Sequence, residues 1–143
     1  MDGAIHRAAG PELLAECRSL HGCETGSAKI TRGYRLPARH VIHAVGPVWH
    51  GGGQGEDEAL ASCYASAIEL CRSHDLGSVA FSAISTGVYR FPAERAARIA
   101  VSTAVSALAA APAPNHIIFC CFSNEAAIMH VRAMAGFGSP CAD

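Results

Sequence analysis

"SVAFSAISTGVYRFPAERAARIAV", residues 78–101, joins three local patterns in one run. An apolar stretch reads as a strand over 78–85, and "STG" breaks it. Beyond Pro92, residues Ala96, Ala97, Ala100, Val101, Ala104, Val105 and Leu108 recur every three or four positions, which predicts a helix ending before Pro112. Strand, glycine turn and helix in succession make one unit of an α/β sheet, where ligands gather outside the carboxyl ends of the strands.

The same pattern extends outward in both directions. "HVIHAVGP" (40–47) is a β-branched run stopped by Gly46-Pro47 and reads as a buried strand, preceded by a short strand in "AKIT" (28–31) and a turn in "GYRLPA" (33–38). "WHGGGQGEDE" (49–58) reads as a flexible loop, and Ala59, Cys63, Ala67, Leu70 and Cys71 mark a helix from about Asp57 to about His74. "HIIFCCF" (116–122) is a last strand, after which Asn124 begins a final helix. At the front, a helix over Asp2–Ala9 has Asp2 as its N-cap, and Pro11 opens a second whose apolar side is Leu13, Leu14, Cys17 and Leu20, closed by Gly22. Residues 1–143 are thus expected to form one α/β domain, with helices on both faces of a largely parallel sheet. About four strands make a narrow sheet, so the front of the fold is expected to be missing.

Composition narrows the function. Half of the residues are apolar and 16% are charged, which favours a packed core over disorder. Eleven basic and twelve acidic residues leave a formal charge of -1, so there is no general pull toward nucleic acid or an anionic membrane, and an anionic ligand must be held locally. The longest apolar runs, 117–122 and 101–111, fall short of the roughly 18–20 residues that span a bilayer. The first residues lack the features of a secretory signal, so a cytoplasmic location is expected. Seven cysteines without a CxxC pair are read as buried reduced thiols, and eight histidines without HExxH point to no metal.

In the quoted turn, the N–H groups of Ser85, Thr86, Gly87 and Val88 form a nest for phosphate oxygens if Gly87 takes a positive φ. On the residues alone a second reading stands beside it, a plain turn with Tyr89 and Phe91 as packing residues. Neither GxxxxGK[ST] nor GxGxxG is present. His43, alternating within "VIHAV", reads as a structural histidine. Asp2 and His6 are four apart and share a helical face. Taken alone they are an N-cap and a surface histidine.

Three segments in order, "DGAIHRAAGPELLAEC" (2–17), "TGSAKITRGYRLPARHVIHAVGPVW" (25–49) and "FSAISTGVYRFPAERAARIAV" (81–101), resemble the macro domain, in particular its MacroD-type or O-acetyl-ADP-ribose deacetylase branch. The resemblance covers nearly the whole chain. It implies a three-layer α/β/α sandwich that binds ADP-ribose and, in this branch, hydrolyses O-acyl-ADP-ribose and mono-ADP-ribosyl esters on acidic side chains of proteins. The turn Ser85, Thr86, Gly87, Val88, Tyr89, Arg90 would wrap the diphosphate with backbone amides, and Tyr89 would close over the distal ribose. Asp2 would position water against that ribose, His6 would tune it, and Asn124 would approach the adenosine end. Like charge from the diphosphate would raise the Asp2 pKa and help it accept a proton. No cofactor or metal is implied. Arg90 stands where relatives often carry glycine, and Phe91 where they often carry tyrosine.

Relatives of this branch begin upstream with an Asn-Ala-Ala-Asn strand and a glycine-rich loop leading into "DGAIH". The domain is therefore expected to be N-terminally truncated, with Met1 a misassigned start. Unpaired strand edges, exposed apolar surface and weak ADP-ribose binding by these residues alone are the expected consequences. A non-catalytic ADP-ribose reader and an inactive remnant are the alternatives to a hydrolase. The Asp2–His6 pair favours the enzyme, and the physiological substrate and oligomeric state stay open.

Overall fold

The alternation of side chains in two short strands sets up the layers. In the computed structural model, which describes residues 2–111 and 113–137 with the side chain of Asp2 excepted, β1 (Ala28–Arg32) pairs antiparallel with β2 (His40–Ala44). Ile30 lies opposite Ile42 and Lys29 opposite His43. Opposed residues share a face and neighbours alternate, so Lys29, Thr31 and His43 point one way and Ile30 and Ile42 the other.

The first face meets α2 (Pro11–Ser19): Lys29 Nζ donates to the Leu20 carbonyl at 2.6 Å, and Cys17 Sγ lies 3.8 Å from His43 Nε2. Glu16 of α2 accepts the Arg32 N–H at 3.1 Å and the Tyr34 hydroxyl at 2.6 Å. These bonds hold the Glu16 carboxyl below its ordinary range, with the tyrosine the larger cause. On the second face Ile42 packs against a core carried by α3 (Glu56–Ser73). Helices therefore cover both faces, and the chain has three layers. α1 (Asp2–Ala9) turns into α2 at Gly10, whose φ of 92° suits glycine, and the Ala9 carbonyl accepts the Arg35 N–H at 3.2 Å.

The second sheet is parallel. β3 (Ser78–Phe81) pairs with β4 (His116–Phe119) across the crossover helix α4 (Ala93–Ala110), and α5 (Asn124–Ala135) follows. Leu60, Tyr64 and Ile68 of α3, Phe81 of β3, Phe91, and Ala96, Ala100 and Ala104 of α4 form one buried cluster. The alanines lie four residues apart, so α4 presents a smooth stripe against which α3 packs closely. Val79 and Ile117 pack on this cluster, whereas Ile118, on the opposite face, is 53% exposed. Among the described residues no helix is long and apolar enough to cross a membrane.

The structure corrects several expectations. The strands are not largely parallel: one pair is antiparallel, one parallel, and among the described residues no ladder joins β2 to β3. The connection 33–39 is too short for the dozen or more residues of a parallel crossover, so β1 and β2 form a hairpin. β2 is half-buried throughout instead of buried. β3 and β4 end at Phe81 and Phe119, short of 85 and 122, because the backbone beyond them leaves the ladder to build loops. α2 ends at Ser19, since His21 and Gly22 both take positive φ. Of the described cysteines only Cys63 and Cys71 are buried, and Cys120 is exposed. His43 is structural as expected, with its Nε2 2.9 Å from Thr31 Oγ1.

Candidate functional site

Two loops leave the carboxyl ends of β2 and β3 and meet. Residues 82–92 follow β3, and the chain closes on itself where the Phe91 N–H donates to the Ser85 carbonyl at 2.9 Å. Within the loop the Arg90 N–H donates to the Gly87 carbonyl at 3.0 Å, and Thr86 Oγ1 donates to the Ala83 carbonyl at 2.9 Å. Ser85 and Arg90 take the left-handed conformation, with φ of 67° and 62°. Gly87, expected to supply that conformation, is not among the positive-φ residues. The closing bond requires the chain to reverse at the two ends of the loop, so the unusual backbone sits at its hinges and not at its tip.

Among the described residues no backbone acceptor meets the N–H groups of Gly87, Val88 or Tyr89. Val88 is 92% exposed, an apolar side chain at the loop tip with its surface in water. Phe91 is buried and anchors the loop to the core.

The loop after β2 packs against this one. A Cβ on Gly46 would fall 2.2 Å from Ser85 Oγ and 2.6 Å from Ile84 Cγ2, so only glycine lets the two segments come this close. Ser85 Oγ is buried there without a hydrogen-bond partner. The Trp49 N–H donates to the Tyr89 carbonyl at 2.9 Å, and the Trp49 ring lies 4.8 Å from that of Phe91. Arg95 stacks over Trp49 at 5.2 Å and is itself tied to Asp57 by bonds of 2.8 and 2.5 Å.

The structure brings together Ser85, Thr86, Gly87, Val88, Tyr89 and Arg90 in one loop and adds Gly46, Trp49 and Phe91, which support it. Asn124 opens α5 just beyond β4. Because β3 and β4 are parallel, it lies at the same end of the sheet as the loop, with an exposed side chain. Asp2 begins α1, and its side chain lies outside the described residues; His6, one turn further, is half-buried. Sequence reasoning missed Gly46 and Trp49. Gly46-Pro47 signals a strand end, and only the approach of Ser85 gives that glycine a second reason.

A surface hollow of about 710 Å³ lies elsewhere, between α3 and α4. It is lined by Ser66, Arg72 and Thr103, and its guanidinium is occupied by the Ala113 carbonyl at 2.7 Å and by the Ala107 carbonyl. The hollow offers a guanidinium already engaged, whereas the loop leaves backbone N–H groups without backbone acceptors among the described residues.

Known proteins share this fold. The Macro domain profile matches residues 1–100. A Macro domain-containing protein of Mesorhizobium japonicum is 58% identical over 135 residues, covering 94% of this chain and 77% of that one. The mouse (Mus musculus) ADP-ribose glycohydrolase MACROD2 is 56% identical over 128 residues, 85% of this chain but 26% of that longer protein. The Oceanobacillus iheyensis macrodomain solved with ADP superposes with a TM-score of 0.90 at 37% identity, over 95% of this chain and 75% of that one. The Trypanosoma brucei macrodomain in complex with ADP-ribose superposes at 0.86 with 39% identity, over 93% and 56%. With its profile match, its relatives and its overall fold in agreement, the chain belongs to the macro domain family.

Proposed function

We propose that the protein binds ADP-ribose and hydrolyses acyl esters of it, either O-acyl-ADP-ribose or mono-ADP-ribose esterified to acidic side chains of proteins. The observation that carries this reading is loop 85–91. Its closing bonds leave the N–H groups of Gly87, Val88 and Tyr89 for a ligand, and such concave runs of amides accept phosphate oxygens. The likeness to a protein named as an ADP-ribose glycohydrolase, and to macrodomains solved with ADP and with ADP-ribose, supports the same ligand and reaction class.

In this reading Ser85, Thr86, Gly87, Val88, Tyr89 and Arg90 hold the diphosphate, and Tyr89 lies along the distal ribose. Asn124 stands toward the adenosine end. Asp2 positions a water against the distal ribose and His6 tunes Asp2. Water adds across the ester, and the products are the free carboxylic acid and the ADP-ribose hydroxyl.

The test is release of ADP-ribose from a protein mono-ADP-ribosylated on acidic side chains, measured beside ADP-ribose binding by calorimetry. Asp2→Ala is expected to abolish turnover while retaining most of the binding. Binding without turnover in the unmutated protein would make it a reader, and absence of both would remove the reading.

A further inference from the structure

Three backbone N–H groups converge on one carboxylate beside the site. Glu56 Oε2 accepts from His50 at 2.8 Å and from Gly52 at 2.9 Å, and Oε1 accepts from Gln54 at 2.6 Å. The residue is 3% exposed although it opens α3, and these bonds push its pKa down to about 2. A carboxylate in the first turn of a helix ordinarily serves that helix's own end. Here the side chain reaches back and organises the loop before it, so "WHGGGQG" is a tied loop and not the flexible one expected from its glycines.

What that loop carries is Trp49. Gly52, at φ 90°, lies so close to the indole that a Cβ there would fall 2.9 Å from Trp49 Cη2. The ring is thus gripped by Gly52, by Phe91 and by Arg95, and the Trp49 N–H holds the Tyr89 carbonyl. Asp57, next to Glu56, fixes Arg95. Adjacent carboxylates at the start of α3 therefore control the two sides of the tryptophan that braces the ligand loop.

We infer that Glu56 is a positioning residue for loop 85–91, acting through residues 50–54 and Trp49 on the Tyr89 carbonyl and the Phe91 ring. The inference rests on the reading of that loop as the ADP-ribose loop. Neither Glu56 nor Trp49 needs to touch the ligand. Their part is to hold the amides of Gly87, Val88 and Tyr89 in the arrangement a diphosphate requires.

The experiment compares the protein with Glu56→Gln, which keeps the size of the side chain but turns one acceptor into a donor facing N–H groups. Three readouts are taken: amide hydrogen exchange of residues 85–91, emission of Trp49, which is the single tryptophan, and the Kd for ADP-ribose. Exchange in 85–91 is expected to quicken while α4 stays protected, the emission to move to the red, and the Kd to rise about tenfold, as displacement of a binding geometry entails. A merely structural role would quicken exchange in α4 as well, and would overturn the inference. So would faster exchange confined to 50–55 with unchanged affinity. Glu69→Gln, toward the far end of α3 and with an exposed side chain paired to Arg72, should leave all three readouts unchanged. If Glu56→Gln does not fold, Gly52→Ala presses on Trp49 from the same side and is expected to give the same changes. If the unmutated protein does not bind ADP-ribose, the functional reading falls, and exchange in 85–91 still decides the role of Glu56.

Discussion

The Trp49 N–H donates to the Tyr89 carbonyl at 2.9 Å, so the loop after β2 fixes the loop after β3. The contact is made by the backbone at one end and the indole at the other, where the ring meets Phe91. Trp49→Ala keeps the hydrogen bond and removes the ring. Because Trp49 is half-buried, the expected loss is about 2 kcal/mol, below the roughly 3–5 kcal/mol of fully buried aromatic truncations. Trp49→Phe should cost less than about 1.5 kcal/mol, since it keeps most of the packing. Urea unfolding of the three proteins measures both.

Gly46, which supports the loop, and Gly87, which lies in it, make opposite predictions. A Cβ on Gly46 collides with Ser85 and Ile84, so Gly46→Ala is expected to cost roughly 1–3 kcal/mol and to displace the loop. Gly87 has open space around its Cβ position and no positive φ, so Gly87→Ala should stay within about 0.5 kcal/mol of the unmutated stability. If the amides at 87–89 hold a diphosphate, the same harmless methyl should weaken ADP-ribose binding. Thermal melting with and without ADP-ribose separates the two effects.

Glu56 gives the protein an acid limb. Its folded pKa, about 2, lies below the ordinary carboxylate value of 4.5, so the unfolded chain takes up the proton first. The carboxylate's contribution to stability is complete above the ordinary value and is lost as the pH falls through about 2. Glu56→Gln should therefore flatten the fall in stability between about pH 4.5 and 2, measured by denaturant unfolding across that range.

Tyr64 gives an alkaline limb of opposite sign. Burial raises its pKa from 10 to about 12, against a smaller opposing effect of its hydrogen bond with the Ile84 backbone. Its contribution is complete below pH 10 and disappears as the pH rises to about 12. Cys63, raised by burial to about 11, adds to the same slope from its ordinary value of 9. Tyr64→Phe should cost about 1 kcal/mol at neutral pH through the lost hydrogen bond and make the alkaline decline shallower. Unfolding curves from pH 8 to 12 are the check.

The helices are legible from the residues because an amphipathic pattern is complete within a few turns. Ala96, Ala100 and Ala104 identify the buried stripe of α4, and Cys63 and Ala67 that of α3, without reference to any other part of the chain. The strand over 78–81 and the loop after it are legible for the same reason. Strand ends are not, since nothing in residues 82–85 breaks the strand pattern and the chain departs from the ladder only to form the Ser85–Phe91 closure.

Direction of pairing was available in the shortness of the 33–39 connection, yet the alternation of strands with helices masked it. Which residues would take positive φ was not available, because ring closure by Phe91, and not residue type, puts that conformation at Ser85 and Arg90. Nor does anything local distinguish Glu56 from Asp57 and Glu58 beside it. Glu56 binds three amides of the preceding loop and Asp57 binds Arg95 on another helix. Periodicity and turn chemistry act between near neighbours, so the string of residues carries the helices, the strand cores and the loop that names the family. The bracing of that loop depends on Gly46 meeting Ser85 and Trp49 meeting Tyr89, contacts between distant segments that exist only once β2, β3 and α3 have packed.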